Sequence, residues 1–180
     1  ISTVKHFALN AQETGRTELD AHMDEAALRE TDLLAFELAI EVGQPGSVMC
    51  AYNKLNTVYA CENSFLLNDV LRRDWDYKGY VMSDWGAVHS ASIRQGLDQE
   101  SGTKPKDKPY FGAMLSQDLA DGKITQADID RSALRVLRSL YAHGVVDHPV
   151  VQRAPIDAAA HAQVAQDIAE AGLVLLKNQG

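Results

Sequence analysis

The sequence has little cysteine, no long apolar run, no excess of basic residues and no glycine-rich phosphate loop. Its two cysteines, Cys50 and Cys61, have no histidine at ligand spacing, which excludes a structural zinc site. They flank a polar, loop-like segment, and a disulfide closing it or two half-buried thiols would both fit that spacing. No apolar stretch approaches the roughly 18 residues that a membrane-spanning helix needs. Lys and Arg number 17 against 25 Asp and Glu, a formal net charge of -8. That balance excludes the basic stripe of a nucleic-acid binder and a polybasic membrane patch. No Gly-rich turn follows a strand-like run, so nothing supports a dinucleotide site. No metal and no cofactor is expected. The chain opens at Ile1 without a secretory leader and stops at Gly180, straight after Leu173-Val174-Leu175-Leu176. Such ends lead us to expect a piece of a longer protein.

What is present is the mix of a globular domain, 46% hydrophobic and 23% charged over 180 residues. Strand-like runs at Ile1–Phe7, Ser47–Tyr52 and Gly79–Ser83, with a short fourth ending at Gly96-Leu97-Asp98, alternate with helical patterns. A helix is expected from about Asp24 to Val42, with Leu28, Leu34, Leu38 and Val42 as its apolar side. Another is expected over Ser64–Trp75 on Phe65, Leu66, Val70 and Leu71, and a third over Gly86–Gln95. Ser101–Pro109 reads as an exposed loop. Two helices follow it, the second opening on Thr125-x-x-Asp128, close to a capping box, with Ile129, Ala133, Val136, Leu137 and Leu140 as its apolar face. Gly144–Pro155 reads as a linker and Asp157–Gly172 as a last helix. Alternating strands and helices imply a parallel sheet, either doubly wound or part of a (β/α)8 barrel.

Three strands end in polar chemistry: Lys5-His6, Tyr52-Asn53 and Ser83-Asp84-Trp85. Barrel enzymes gather functional residues at such ends. Asp84 reads either as the cap of a following helix or as a nucleophile or general base. Trp85 beside it offers a flat apolar face of the kind on which sugar rings stack. Tyr52 could donate a hydrogen bond to the Asp84 carboxylate. Neighbours on a regular strand face opposite ways. For Lys5 and His6 to share one cleft, a bulge or a non-proline cis peptide is therefore expected near Lys5-His6-Phe7. Met49 reads as a core or cleft-rim residue. Asn10, Gln12, Glu13 and Arg16 form a polar loop with an expected Glu13–Arg16 ion pair. Nothing places Glu62, Asp69 or Glu100 opposite Asp84.

The run Val4-Lys5-His6-Phe7-Ala8-Leu9-Asn10-Ala11-Gln12-Glu13-Thr14-Gly15-Arg16 resembles the K-H-F-x-x-N-x-Q-E-x-x-R block of glycoside hydrolase family 3. Ser47–Asn53 followed by Cys61-Glu62-Asn63-Ser64 resembles its M-x-x-Y-N segment, and Gly79–Ala87 its G-F-V-x-S-D-W-G block. Gly96-Leu97-Asp98 resembles the next strand end, and Ala169–Asn178 the A-x-x-G-x-V-L-L-K-N passage that enters the family's second domain. The blocks fall in order along nearly the whole chain. Asn56-Thr57 and Asp76 stand where the family more often has glycine. Ala8-Leu9-Asn10 after Phe7 separates the chain from the β-N-acetylglucosaminidase branch, whose motif is K-H-F-P-G-H-G.

The resemblance implies the C-terminal part of a (β/α)8 catalytic barrel over residues 1–145, then a linker and the first elements of an α/β-sandwich domain over 146–180. It implies a retaining, exo-acting β-glucosidase or β-xylosidase in which Asp84 is the nucleophile. Lys5, His6, Met49, Tyr52 and Trp85 would line the sugar subsite. The partner implied is a carbohydrate, with no nucleic acid. The acid/base glutamate of this branch lies on the second domain, beyond residue 180. The fragment alone is then expected to be inactive without that domain and the front half of the barrel. A periplasmic or secreted location is expected by the same resemblance. Two readings from other classes stand beside it: a sugar-binding protein without catalysis, and a Schiff-base lyase using a desolvated Lys5.

Overall fold

The computed structural model describes residues 1–102, 109–149 and 155–180. The loop expected at Ser101–Pro109 lies largely outside the described residues, as does the middle of the linker expected at Gly144–Pro155, whose first residues form turns. The chain divides into two compact units, Ile1–His148 and Pro149–Gly180.

The first unit is built on a parallel sheet of β1 (Thr3–Phe7), β3 (Ser47–Cys50) and β6 (Tyr80–Ser83), side by side in chain order. Val4, Val48 and Val81 lie in one row across it, and Phe7, Cys50 and Ser83 in another. Between those rows β1 has two residues, Lys5 and His6, where β3 has one, Met49, so β1 carries a bulge. The peptide bonds Lys5-His6 and Phe7-Ala8 are both cis. The irregularity expected at this point is therefore present. A bridge between Met82 and Gln99 marks a fourth strand position, just past Asp98.

Val48, Cys50, Val81 and Ser83 face one way and are buried. Helices cover that face. Phe7 is sealed between Phe36 and Trp75, with ring centroids 5.0 and 5.9 Å away. The π-helix Phe65–Asp74 supplies Leu66, Leu67, Val70 and Leu71, all fully buried. Each such side chain contributes about 1.5–3 kcal/mol by leaving water. The opposite face of the sheet carries Met49 and Met82 and is only half-covered.

Several expectations change. The helix expected at Asp24–Val42 is two, α1 (Glu25–Glu30) and α2 (Asp32–Gly43), broken at Thr31. The Thr31 hydroxyl donates to the Ala27 carbonyl at 2.6 Å, and Asp32 turns back to accept the Leu9 amide at 2.9 Å. The break rotates the second segment, so Leu33 and Ile40 are buried while Leu34, Leu38 and Val42 stay exposed. No helix forms at Gly86–Gln95. Ser90 donates to Glu62 at 2.7 Å, and Asn68 donates to the Arg94 carbonyl at 3.0 Å. Those side-chain bonds hold the segment in turns instead.

The later helices are α3 (Leu115–Ala120), preceded by a kinked π turn at Tyr110–Met114, and α4 (Gln126–Ala142). The capping box at Thr125 and Asp128 is formed. α4 buries Asp128, Ser132 and Ser139, and of the expected apolar face Ile129, Val136 and Leu140 are half-buried while Ala133 and Leu137 are exposed. Ser132 donates to the Asp98 carbonyl at 3.0 Å and Ser139 to the Gly46 carbonyl at 2.8 Å, whereas Leu134, Leu137 and Tyr141 are exposed. Between these contacts Asp98, its side chain wholly buried, takes Arg72 at 2.6 Å and Arg135 at 3.0 Å, and accepts the Val81 amide at 2.8 Å. Burial pushes the Arg72 guanidinium down to about 10, against the pull of Asp98.

A second small sheet joins the loops at the C-terminal edge. In it β2 (Asp20–Ala21) pairs in parallel with β4 (Lys54–Leu55), which pairs antiparallel with β5 (Val58–Tyr59). Cys50 and Cys61 form a disulfide across this segment, with Cα atoms 5.1 Å apart. The second unit contains α5 (Ala158–Gly172), capped by Asp157, whose carboxylate accepts the Ala160 amide at 3.0 Å. An extended apolar tail with exposed Leu173–Leu176 follows.

Two measurements test this architecture. Thr57 has φ 79°, a conformation that a β-branched residue adopts at a cost. Thr57→Gly should raise stability by about 1 kcal/mol in a denaturant titration, with the bond from its amide to Asp20 kept. Asp128 is held down to about 2 by the Thr125 backbone amide first, then by Arg131 and the Thr125 hydroxyl. Its folded value lies below its unfolded one, so its stabilisation is present above about pH 4 and is lost as pH falls towards 2. Asp128→Asn should therefore lower the melting temperature at neutral pH and converge with the parent at the acid end. Parallel melting curves at all pH values would contradict the assignment.

Candidate active site

The polar residues singled out by sequence come together where β1, β3 and β6 end. Phe7, Cys50 and Ser83 share the last row, so the bulged Lys5-His6 of β1 lies at the same edge as Tyr52 beyond β3 and Asp84-Trp85 beyond β6. The Asp84 amide donates to the Cys50 carbonyl at 3.3 Å, which extends the ladder one step beyond β6. No helix follows Asp84, so it caps none. Instead Oδ1 accepts its neighbour's amide, Trp85 N, at 2.7 Å, and Oδ2 lies 3.2 Å from His6 Nε2. Each carboxylate oxygen has its own partner, and the plane of the group is fixed. The His6 and Asp84 side chains keep 29% and 14% of their exposure, enough for a small ligand to reach them.

Tyr52 donates its hydroxyl to the Trp85 carbonyl at 2.9 Å, main chain beside the carboxylate. Burial first, then the negative charge of Asp84, raises the Tyr52 phenol above its ordinary value. The Trp85 indole is 72% exposed and rests on the backbone of Gly102, which has φ 63°. Its free face is a flat apolar surface. Met49 lies beside Met82 on the half-covered face of the sheet. Lys5 is exposed, and the imidazole beside it, not its amine, is what reaches Asp84.

Three residues matter more than their sequence signal indicated. Asn53 is fully buried and donates to the Ala8 and Lys54 carbonyls, both at 3.1 Å, which ties the end of β1 to the end of β3. Arg16 was expected only as the partner of Glu13; that pair forms at 2.9 Å, and the guanidinium also lies 4.5 Å above the Tyr52 ring. Glu62 accepts from Ser90 and Ser92 and so braces the turn that follows Trp85. An Asn directly after a strand-end Tyr was the one visible signal for Asn53. Nothing local marked the other two. Among the described residues no group of three His, Cys, Asp or Glu side chains could hold a metal.

A parallel sheet with polar side chains gathered at its C-terminal edge is the place where barrel enzymes carry their functional residues. The chain belongs to glycoside hydrolase family 3: residues 1–139 match the family's N-terminal domain. It is 38% identical over 185 residues to beta-glucosidase B of Emericella nidulans, covering 99% of this chain and 21% of that protein. It is also 38% identical to the exo-alpha-(1->6)-L-arabinopyranosidase of Bifidobacterium breve, over 98% of this chain and 23% of that one. The crystal structure of DesR, a beta-glucosidase from Streptomyces venezuelae in complex with D-glucose, superposes with a TM-score of 0.86 at 40% identity. That match covers 99% of this chain and 24% of DesR. A beta-glucosidase 3B structure from Thermotoga neapolitana in complex with glucose gives 0.86 at 34% identity, over 98% and 26%. The chain thus spans about a quarter or less of the length of these relatives. Its sheet and covering helices are part of that family's barrel.

A Cβ placed on Gly102 would sit 2.6 Å from Trp85 Cβ. Gly102→Ala should therefore displace the indole, seen as an altered near-ultraviolet circular dichroism signal with unchanged far-ultraviolet signal. An unaltered near-ultraviolet spectrum would show that Gly102 does not seat Trp85.

Proposed function

We propose that the protein is a retaining, exo-acting β-glycosidase of the β-glucosidase or β-xylosidase type, with Asp84 as its nucleophile. The observation that supports this most directly is the Asp84 carboxylate itself. It is oriented at both oxygens, caps no helix, and opens onto a cleft edge beside an exposed indole. In the proposed reaction one Asp84 oxygen attacks the anomeric carbon as the bond to the leaving oxygen breaks. A second carboxyl group about 5–5.5 Å away protonates that oxygen, and then removes a proton from the water that releases the sugar. We place that acid/base group outside residues 1–180, on the second domain whose entry residues 146–180 would form. Residues 1–180 alone would then be inactive.

Lys5 and His6 would donate to sugar hydroxyls, Met49 and Tyr52 would wall the subsite, and Trp85 would stack on the ring. The relatives' names include both a beta-glucosidase and an arabinopyranosidase, so the choice of sugar is a matter for a substrate panel. A periplasmic or secreted location is proposed as well. The Cys50–Cys61 disulfide supports it, since such bonds persist in oxidising compartments.

The test is to incubate the full-length protein with 2-deoxy-2-fluoro glycosides, which slow breakdown of a glycosyl-enzyme. A covalent adduct on the peptide containing Asp84 is the expected result, and Asp84→Asn should cut turnover by roughly three orders of magnitude or more with the fold intact. Sugar binding without an adduct would mean a binding protein, and borohydride trapping at Lys5 would mean a lyase.

A further inference from the structure

We propose that Arg16 is a positioning residue: laid over the Tyr52 ring and braced by Glu13, it holds the Tyr52 hydroxyl on the Trp85 carbonyl and so sets the peptide that carries Asp84. The proposal rests on the reading of Asp84 as nucleophile. Trp85 is pinned at both of its peptide groups. Its amide donates to Asp84 Oδ1 at 2.7 Å, and its carbonyl accepts from Tyr52 at 2.9 Å. The position of the tyrosine ring therefore bears on where the carboxylate points.

Among the described residues one cation lies on that ring. The Arg16 guanidinium centre lies 4.5 Å from the Tyr52 centroid. Nη1 of the same group is 2.9 Å from the Glu13 carboxylate. A planar guanidinium can lie flat on a phenol and still offer its edge to a carboxylate, which an ammonium cannot do. Glu13 is largely exposed, so the ion pair contributes orientation more than energy.

The loop that carries Arg16 is itself clamped to the strand that carries Tyr52. The amides of Glu18 and Leu19 both donate to the Gly15 carbonyl at 2.9 Å, which forms a tight turn around Arg16. The Leu19 carbonyl then accepts the Lys54 amide at 2.8 Å, two residues past Tyr52, and β2 continues the pairing with β4. Arg16 and Tyr52 are thus held face to face by main-chain bonds on either side.

A double-mutant cycle in the full-length protein tests this, with the rate of 2-fluoroglycosyl adduct formation as one readout. Arg16→Gln should slow adduct formation by roughly fivefold. Arg16→Gln combined with Tyr52→Phe should be no slower than Tyr52→Phe alone, because without the hydroxyl there is nothing left to position. Arg16→Lys should recover part of the loss. Independent, multiplicative effects, or no effect of Arg16→Gln, would overturn the proposal. A second readout does not need activity: tyrosinate absorbance against pH, with Tyr52→Phe as the blank. Removing the cation should move the Tyr52 titration to higher pH, and an unmoved titration would overturn the placement of Arg16. If the parent forms no adduct, the nucleophile reading fails, while the titration still decides whether Arg16 sits on Tyr52.

Discussion

The level endings of three parallel strands are the constraint on which the rest of the site depends. Val4, Val48 and Val81 share a row because their alternate neighbours must all be buried by the same helices. A slip of one residue in any strand would turn its core side chains to the open face. With the rows locked, the next residues along each strand have little choice of position. Asn53 adds a cross-tie from inside: its buried amide serves carbonyls of two different strands' exits. The chemistry at the edge is therefore a by-product of packing at the centre.

A second tie holds the other side of the sheet. Asp98 ends the fourth strand position under two arginines and one amide, wholly out of water. An ion cluster of this kind gives little net stability over a well-packed apolar one, because both signs of charge lose their hydration. Its geometric demands are strict, however. Arg72 comes from the π-helix and Arg135 from α4, and both must meet one carboxylate. The cluster thus fixes which helix lies where, and the strand beside β6 is held by side chains as well as by its single bridge.

Much of this was legible beforehand, and the parts that were not share a cause. The strand ends, the irregular backbone near His6 and the capping box at Thr125 follow from local pattern, and all are present. The polar part of the α4 contact had no signal because periodicity counts apolar residues, while Ser132 and Ser139 bind main-chain oxygens. The break at Thr31 was missed because Thr and Asp carry no stop signal of their own; their side chains serve the helix backbone and a distant loop. The helix expected after Asp84 was lost to side chains from Glu62 and Asn68, which only the folded chain brings near. The stack of Arg16 on Tyr52 spans 36 positions and has no local trace.

The polar seat of α4 has a consequence for how such a domain can change. Its two serine contacts end on carbonyl oxygens, at Gly46 and Asp98, which every amino acid possesses. At these two points the helix reads the path of the strands, while its Arg135 reads one side chain, that of Asp98. Residues that shape the cleft can drift in identity without loosening the scaffold behind them, so long as the backbone keeps its course. A scaffold attached in this way can be retuned at its catalytic edge by substitution, with the outer ring left undisturbed.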